Sequence, residues 1–121
     1  MTKLFAIAIP ILPGKTEQTK KFGQELTTRY KKEFNESRKR LGVQERSFLQ
    51  KTPHGDMVIV TLEGENPQQS FTKFAAGTDE FTKWFISQVK ELHGIDLSQP
   101  MPGDLPEPLA QTEPISESIL K

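Results

Sequence analysis

The segment Val43–Gly64 constrains this chain most. Two apolar-rich stretches, V-Q-E-R-S-F-L-Q-K-T and D-M-V-I-V-T-L-E, flank Pro53-His54-Gly55. Proline presets φ at the second turn position and glycine takes the left-handed residue, so T-P-H-G-D predicts a hairpin closed by a three-residue turn with a bulge. Pairing Thr52 with Asp56 sets Gln50 opposite Val58, Phe48 opposite Val60 and Arg46 opposite Leu62. Side chains alternate across a strand, so this register predicts one face made of Arg46, Phe48, Gln50, Val58, Val60 and Leu62. Ser47, Leu49, Met57, Ile59 and Thr61 share the other. Both faces are apolar, and a hairpin with one side in water would alternate more cleanly, so each side needs a cover.

The chain of 121 residues is long enough for one core and too short for two. Sixteen basic and sixteen acidic side chains cancel, which removes the charge excess that favours nucleic acid or an anionic membrane as partner. The balance is uneven: residues 15–40 carry nine Lys/Arg against four Glu, and residues 96–121 five acids against one Lys. Cysteine is absent, so no disulfide or thiol chemistry is available, as suits a reducing cytoplasm. The apolar run Leu4–Leu12 is too short to span a bilayer and lacks a cleavage site, so it is expected to be a strand and not a signal peptide.

That first run, Lys3–Leu12, is continuous enough to predict a central strand buried on both faces, with Pro10 at its end or at an unpaired edge position. From Thr16 to Leu41 the period becomes helical: Phe22, Leu26, Tyr30, Phe34 and Leu41 form one stripe, which predicts a single long amphipathic helix closed by Gly42. Asn66-Pro67 opens the next helix, with Asn as cap and Pro at the first helical position. Gly77-Thr78-Asp79 interrupts it before a second part carrying Phe81, Trp84, Phe85, Val89 and Leu92, which stops at Gly94. Residues 97–121 are Pro-rich and acidic, and are expected to be an arm apart from the domain at 1–96, with 105–111 as a possible short edge strand.

The resulting order is βαββα(β), an α+β chain that predicts a ferredoxin-like antiparallel sheet with two helices on one face. Two helices shelter one side only. The second apolar side is therefore expected to meet another copy of the chain, giving a homodimer that closes into an α/β barrel.

Few residues suggest chemistry. His93, with Asp96 nearby, is a candidate base, and Tyr30 a weaker one; His54 suits a turn and Trp84 suits a core. Two distant His without Cys make no metal site, and no phosphate loop or nucleophile elbow is present, so neither metal nor cofactor is expected. In the register above Arg46 and Gln50 join Phe48, Val58, Val60 and Trp84 as candidate ligand-binding residues, a few polar groups in an apolar lining.

The order of elements resembles the dimeric α/β-barrel superfamily, which includes cofactor-free monooxygenases and isomerase-like proteins. S-R-K-R-L-G-V at 37–43, F-L-Q-K-T-P-H-G-D at 48–56, V-T-L-E-G-E-N-P at 60–67, F-T-K-W-F at 81–85 and H-G-I-D at 93–96 look like a family within it that carries no assigned reaction. The expectation is a small homodimeric barrel binding a small, partly apolar ligand in the barrel. The alternatives are a cofactor-free monooxygenase or isomerase-like enzyme, and an interaction module that recruits a partner through its arm.

Overall fold

The computed structural model describes residues 2–101 and 103–113. Three strands, β1 (Lys3–Pro10), β2 (Val43–Gln50) and β3 (Met57–Gly64), form an antiparallel sheet in the order β1-β3-β2. Helices α1 (Thr16–Thr27) and α2 (Lys31–Leu41) join β1 to β2, and α3 (Pro67–Phe74) and α4 (Glu80–His93) follow β3. No described helix is long and apolar enough to cross a membrane.

The single helix expected over 16–41 is two helices. Thr27 and Thr28 turn their hydroxyls onto the carbonyls of Gly23 and Gln24, and Tyr30 N–H reaches Glu25 C=O at 2.8 Å, one residue further back than an α-helical bond. Adjacent β-branched residues whose side chains compete for backbone acceptors weaken a helix at this point, and the wide turn inserts a break. Phe22 and Leu26 before it, and Tyr30 and Phe34 after it, still reach one cluster. The interruption expected at Gly77 is present: Asn66 caps α3 through Gln69 N–H, Asp79 caps α4 through Thr82 N–H, and Gly94 closes α4 with φ 71°.

The hairpin register differs from expectation by one residue. Gln50 pairs with Met57, Phe48 with Ile59 and Arg46 with Thr61. Thr52 is drawn out of the ladder, its Oγ1 accepting from His54 N–H at 3.2 Å and donating to Gly55 C=O at 2.5 Å. Asp56 turns the other way: its C=O accepts from Ile11 N–H at 2.9 Å and its carboxylate from Thr16 Oγ1 at 2.6 Å. The connection therefore spans residues 51–56, and a slip of one residue exchanges faces. Arg46, Phe48 and Gln50 lie opposite in face to Val58, Val60 and Leu62.

Strand β1 is an edge strand, not a central one, and it alternates: Phe5, Ile7 and Ile9 are buried while Leu4, Ala6, Ala8 and Pro10 are exposed. Ile11 pairs with Asp56 by a ladder bond, so Leu4, Ala6, Ala8 and Pro10 direct their backbone groups away from β3. Pro10, lacking an N–H, costs this free edge nothing. Residues 105–111 form no strand, and among the described residues the sheet has three.

The covered face carries Phe5, Ile7, Ile9, Val58, Val60 and Leu62, joined by Phe71, Ile95 and Met101. A second cluster, Phe22, Leu26, Phe74, Phe81, Phe85, Val89 and Leu92, binds the helices to one another. The opposite face is open: Leu4 and Phe48 are each 54% exposed, with Ala8, Ile59 and Phe48 in one row across the sheet.

Candidate functional site

Between the covered sheet face and the helices lies a cavity of about 80 Å³. Its walls are mainly apolar, with Ile7, Ile9, Val58 and Val60 from the sheet and Phe71, Phe74 and Phe85 from the helices. Four polar side chains also reach it: Arg38, Glu45, Ser70 and His93.

Arg38 lies in the last turn of α2, four residues after Phe34, so the helix that carries the aromatic stripe also turns this cation inward. Its Nε donates to Glu45 Oε1 at 2.7 Å, and Nη1 donates to Ser37 Oγ at 2.9 Å. The ion pair is well shielded, each side chain being 10% exposed. Three rings surround the guanidinium, with its carbon 4.4 Å from the centroid of Phe74, 4.8 Å from Phe85 and 4.9 Å from Phe34. A planar, weakly hydrated cation suits such a box better than an ammonium would. Glu45 arrives from β2, on the same face as Val43. Ser70 Oγ lies 2.7 Å from Leu41 C=O and 3.1 Å from Asn66 C=O, which tethers α3 to the end of α2.

His93 closes the other end of α4. Its Nδ1 lies 2.8 Å from Pro10 C=O, and because a carbonyl only accepts, Nδ1 carries the proton and Nε2 keeps its lone pair. Burial holds the imidazole below its ordinary pKa, against the pull of the Pro10 carbonyl. Leu12 N–H donates to Leu92 C=O at 2.9 Å beside it, so the end of β1 and the end of α4 are held together. Asp96 does not orient the ring; its carboxylate accepts from Ser98 N–H and Oγ.

Of the residues singled out in the sequence, Val58, Val60 and His93 line this cavity. Arg46, Phe48 and Gln50 belong to the open face, where Arg46 donates to Glu63 Oε1 at 3.2 Å and Gln44 Oε1 at 2.8 Å, and Gln50 Nε2 donates to Lys51 C=O. Trp84 and Tyr30 stack on each other, centroids 4.0 Å apart, within the helical cluster. The Arg38–Glu45 pair escaped the sequence reading. Its signal was a cation at the position where the repeat Phe22, Leu26, Tyr30, Phe34 calls for another apolar residue. Among the described residues no three His, Asp or Glu side chains converge as a metal ion requires.

The chain matches no protein-family model, no curated protein and no solved structure.

Proposed function

We propose that this chain binds a small, largely apolar molecule between its sheet and its helices, and that two copies pack their open sheet faces together as a dimeric α/β barrel of ferredoxin-like subunits. The observation that carries the ligand reading is the Arg38–Glu45 pair beside an apolar cavity. A buried ion pair is expensive to maintain for stability alone, and a few oriented polar groups in an apolar lining are the usual composition of a small-molecule site. The cavity lies on the helix side of the sheet, so the ligand site and the subunit interface are separate surfaces.

The dimer reading is supported by the open face, where Leu4, Ala8, Phe48 and Ile59 offer apolar surface next to the charged pair Arg46–Glu63. Sedimentation equilibrium at micromolar concentration tests it, a dimer mass being expected. Exposure of the isotope-labelled protein to xenon tests the cavity: saturable shifts of the Val58 and Val60 methyl resonances are expected, and unchanged methyls would refute it.

A second reading, a cofactor-free enzyme of oxygenase or isomerase type, is favoured by one observation. His93 lines the cavity as a neutral imidazole with an unprotonated Nε2, the state a general base requires. Loss of turnover in His93→Gln, with the fold retained, is the result that reading predicts.

A further inference from the structure

We infer that the cavity ligand carries a neutral hydrogen-bond acceptor, a carbonyl, that docks on the Arg38 guanidinium. This rests on the reading that the cavity holds a small molecule, and it assigns that molecule its chemical class.

The guanidinium has five N–H donors in a fixed fork. Among the described residues Nε and Nη1 have partners, Glu45 and Ser37, and Nη2 has none. No deeply buried side-chain nitrogen or oxygen is left without a partner among these residues, so Nη2 keeps some accessible surface. Arg38 as a whole is 8% exposed and lines the cavity. A guest seated against Arg38 would meet donors already oriented by Glu45 and by the Phe34, Phe74 and Phe85 rings.

Charge then selects among guests. Glu45 neutralises Arg38, so a carboxylate entering the cavity would add an uncompensated negative charge beside Glu45 and lose its own hydration. An ammonium would likewise add an uncompensated positive charge beside Arg38, whose own charge Glu45 already balances. A purely apolar guest would displace water from the Nη2 donors without replacing its hydrogen bonds. A ketone, aldehyde or amide oxygen accepts from Nη2 and leaves the charge balance unchanged, while its carbon skeleton packs on Val58, Val60 and Phe71. The volume is about half that of the roughly 150 Å³ cavity known to admit benzene, which limits the enclosed part of the guest to roughly three to five non-hydrogen atoms.

The test uses the whole chain, labelled with ¹⁵N and with ¹³C methyls, and three probes: xenon, 2-butanone and butyrate. Saturable shifts of the Val58 and Val60 methyls and of the Arg38 Nη resonances with 2-butanone, at least tenfold tighter than with butyrate, support the inference. Butyrate binding as tightly as 2-butanone, or methyl shifts with 2-butanone that leave the Arg38 Nη resonances unmoved, overturn it while leaving the cavity reading intact. Arg38→Lys, which keeps the charge and loses the fork, is expected to weaken 2-butanone at least fivefold without changing xenon; equal weakening of both overturns the assignment. If neither xenon nor 2-butanone moves the valine methyls, the cavity reading fails and the inference with it.

Discussion

Arg38 and Glu45 stand seven residues apart, on either side of the turn from α2 into β2, and meet at 2.7 Å with 10% of each side chain exposed. A pair this shielded tolerates joint removal far better than the loss of one member. Arg38→Met or Glu45→Leu alone is expected to cost about 3–5 kcal/mol, and the double variant to regain most of that loss. Urea unfolding of the four proteins as a double-mutant cycle checks it; additive losses would show that the two side chains do not depend on each other.

Gly64 ends β3 against the turn that follows α2. A Cβ there would run into the Gly42 carbonyl oxygen, with a Val43 methyl at 3.1 Å, and the first of these is backbone that cannot swing aside. Gly64→Ala is expected to lose about 1–3 kcal/mol. Gly23, in the interior of α1 with open space where a Cβ would stand, should behave oppositely. Gly23→Ala is expected to gain about 0.5–1 kcal/mol. The two urea midpoints, read against the parent, should move in opposite directions.

His93 makes stability depend on pH in a definite window. Its folded pKa lies below the ordinary 6.5 because burial disfavours the imidazolium, so below that value the unfolded chain takes up the proton more readily. The stabilisation is complete above pH 6.5 and is lost as pH falls through the lower folded pKa. Asp79 and Asp96, held below 3.8 chiefly by hydrogen bonds from Thr82 and Ser98, contribute stability that is lost only at still lower pH. Thermal melts of the parent and His93→Gln between pH 7.5 and 4.5 should converge in slope only if His93 is not the titrating group.

Phe48 lies on the open sheet face, 54% exposed, with Ile59 opposite it. Substitution by Asp places a charge where the proposed second subunit packs and removes little from the core of its own. Phe48→Asp is expected to shift sedimentation from dimer to monomer with unchanged far-ultraviolet circular dichroism. A dimer that survives the substitution would move the interface away from this face.

Much of the fold was legible because its signals are local. Asn66-Pro67, Asp79, Gly42 and Gly94 announce helix ends through their own side chains or their own φ, and the structure places caps at each. Pro10 was readable as an edge residue for the same reason, since a missing N–H is a property of one position. The break at Thr28 was harder: the apolar stripe runs straight through it, and periodicity does not register one inserted residue whose side chain bonds the preceding turn.

The candidate site was legible only in part, and the reason is a single residue of register. Val58 and Val60 face the cavity under the helices, whereas Arg46, Phe48 and Gln50 share their face only in a register that the structure does not keep. Whether Thr52 joins the ladder or folds into its own turn depends on Asp56, which is held by Ile11 and Thr16 from elsewhere in the chain. By itself the sequence determined the three strands, the helical segments between and after them, and most helix ends, because period and capping act within a few residues. Only the tertiary structure decided which polar side chains share the cavity, because the Arg38–Glu45 pair and the His93–Pro10 bond form between separate elements, and their geometry exists only once those elements pack.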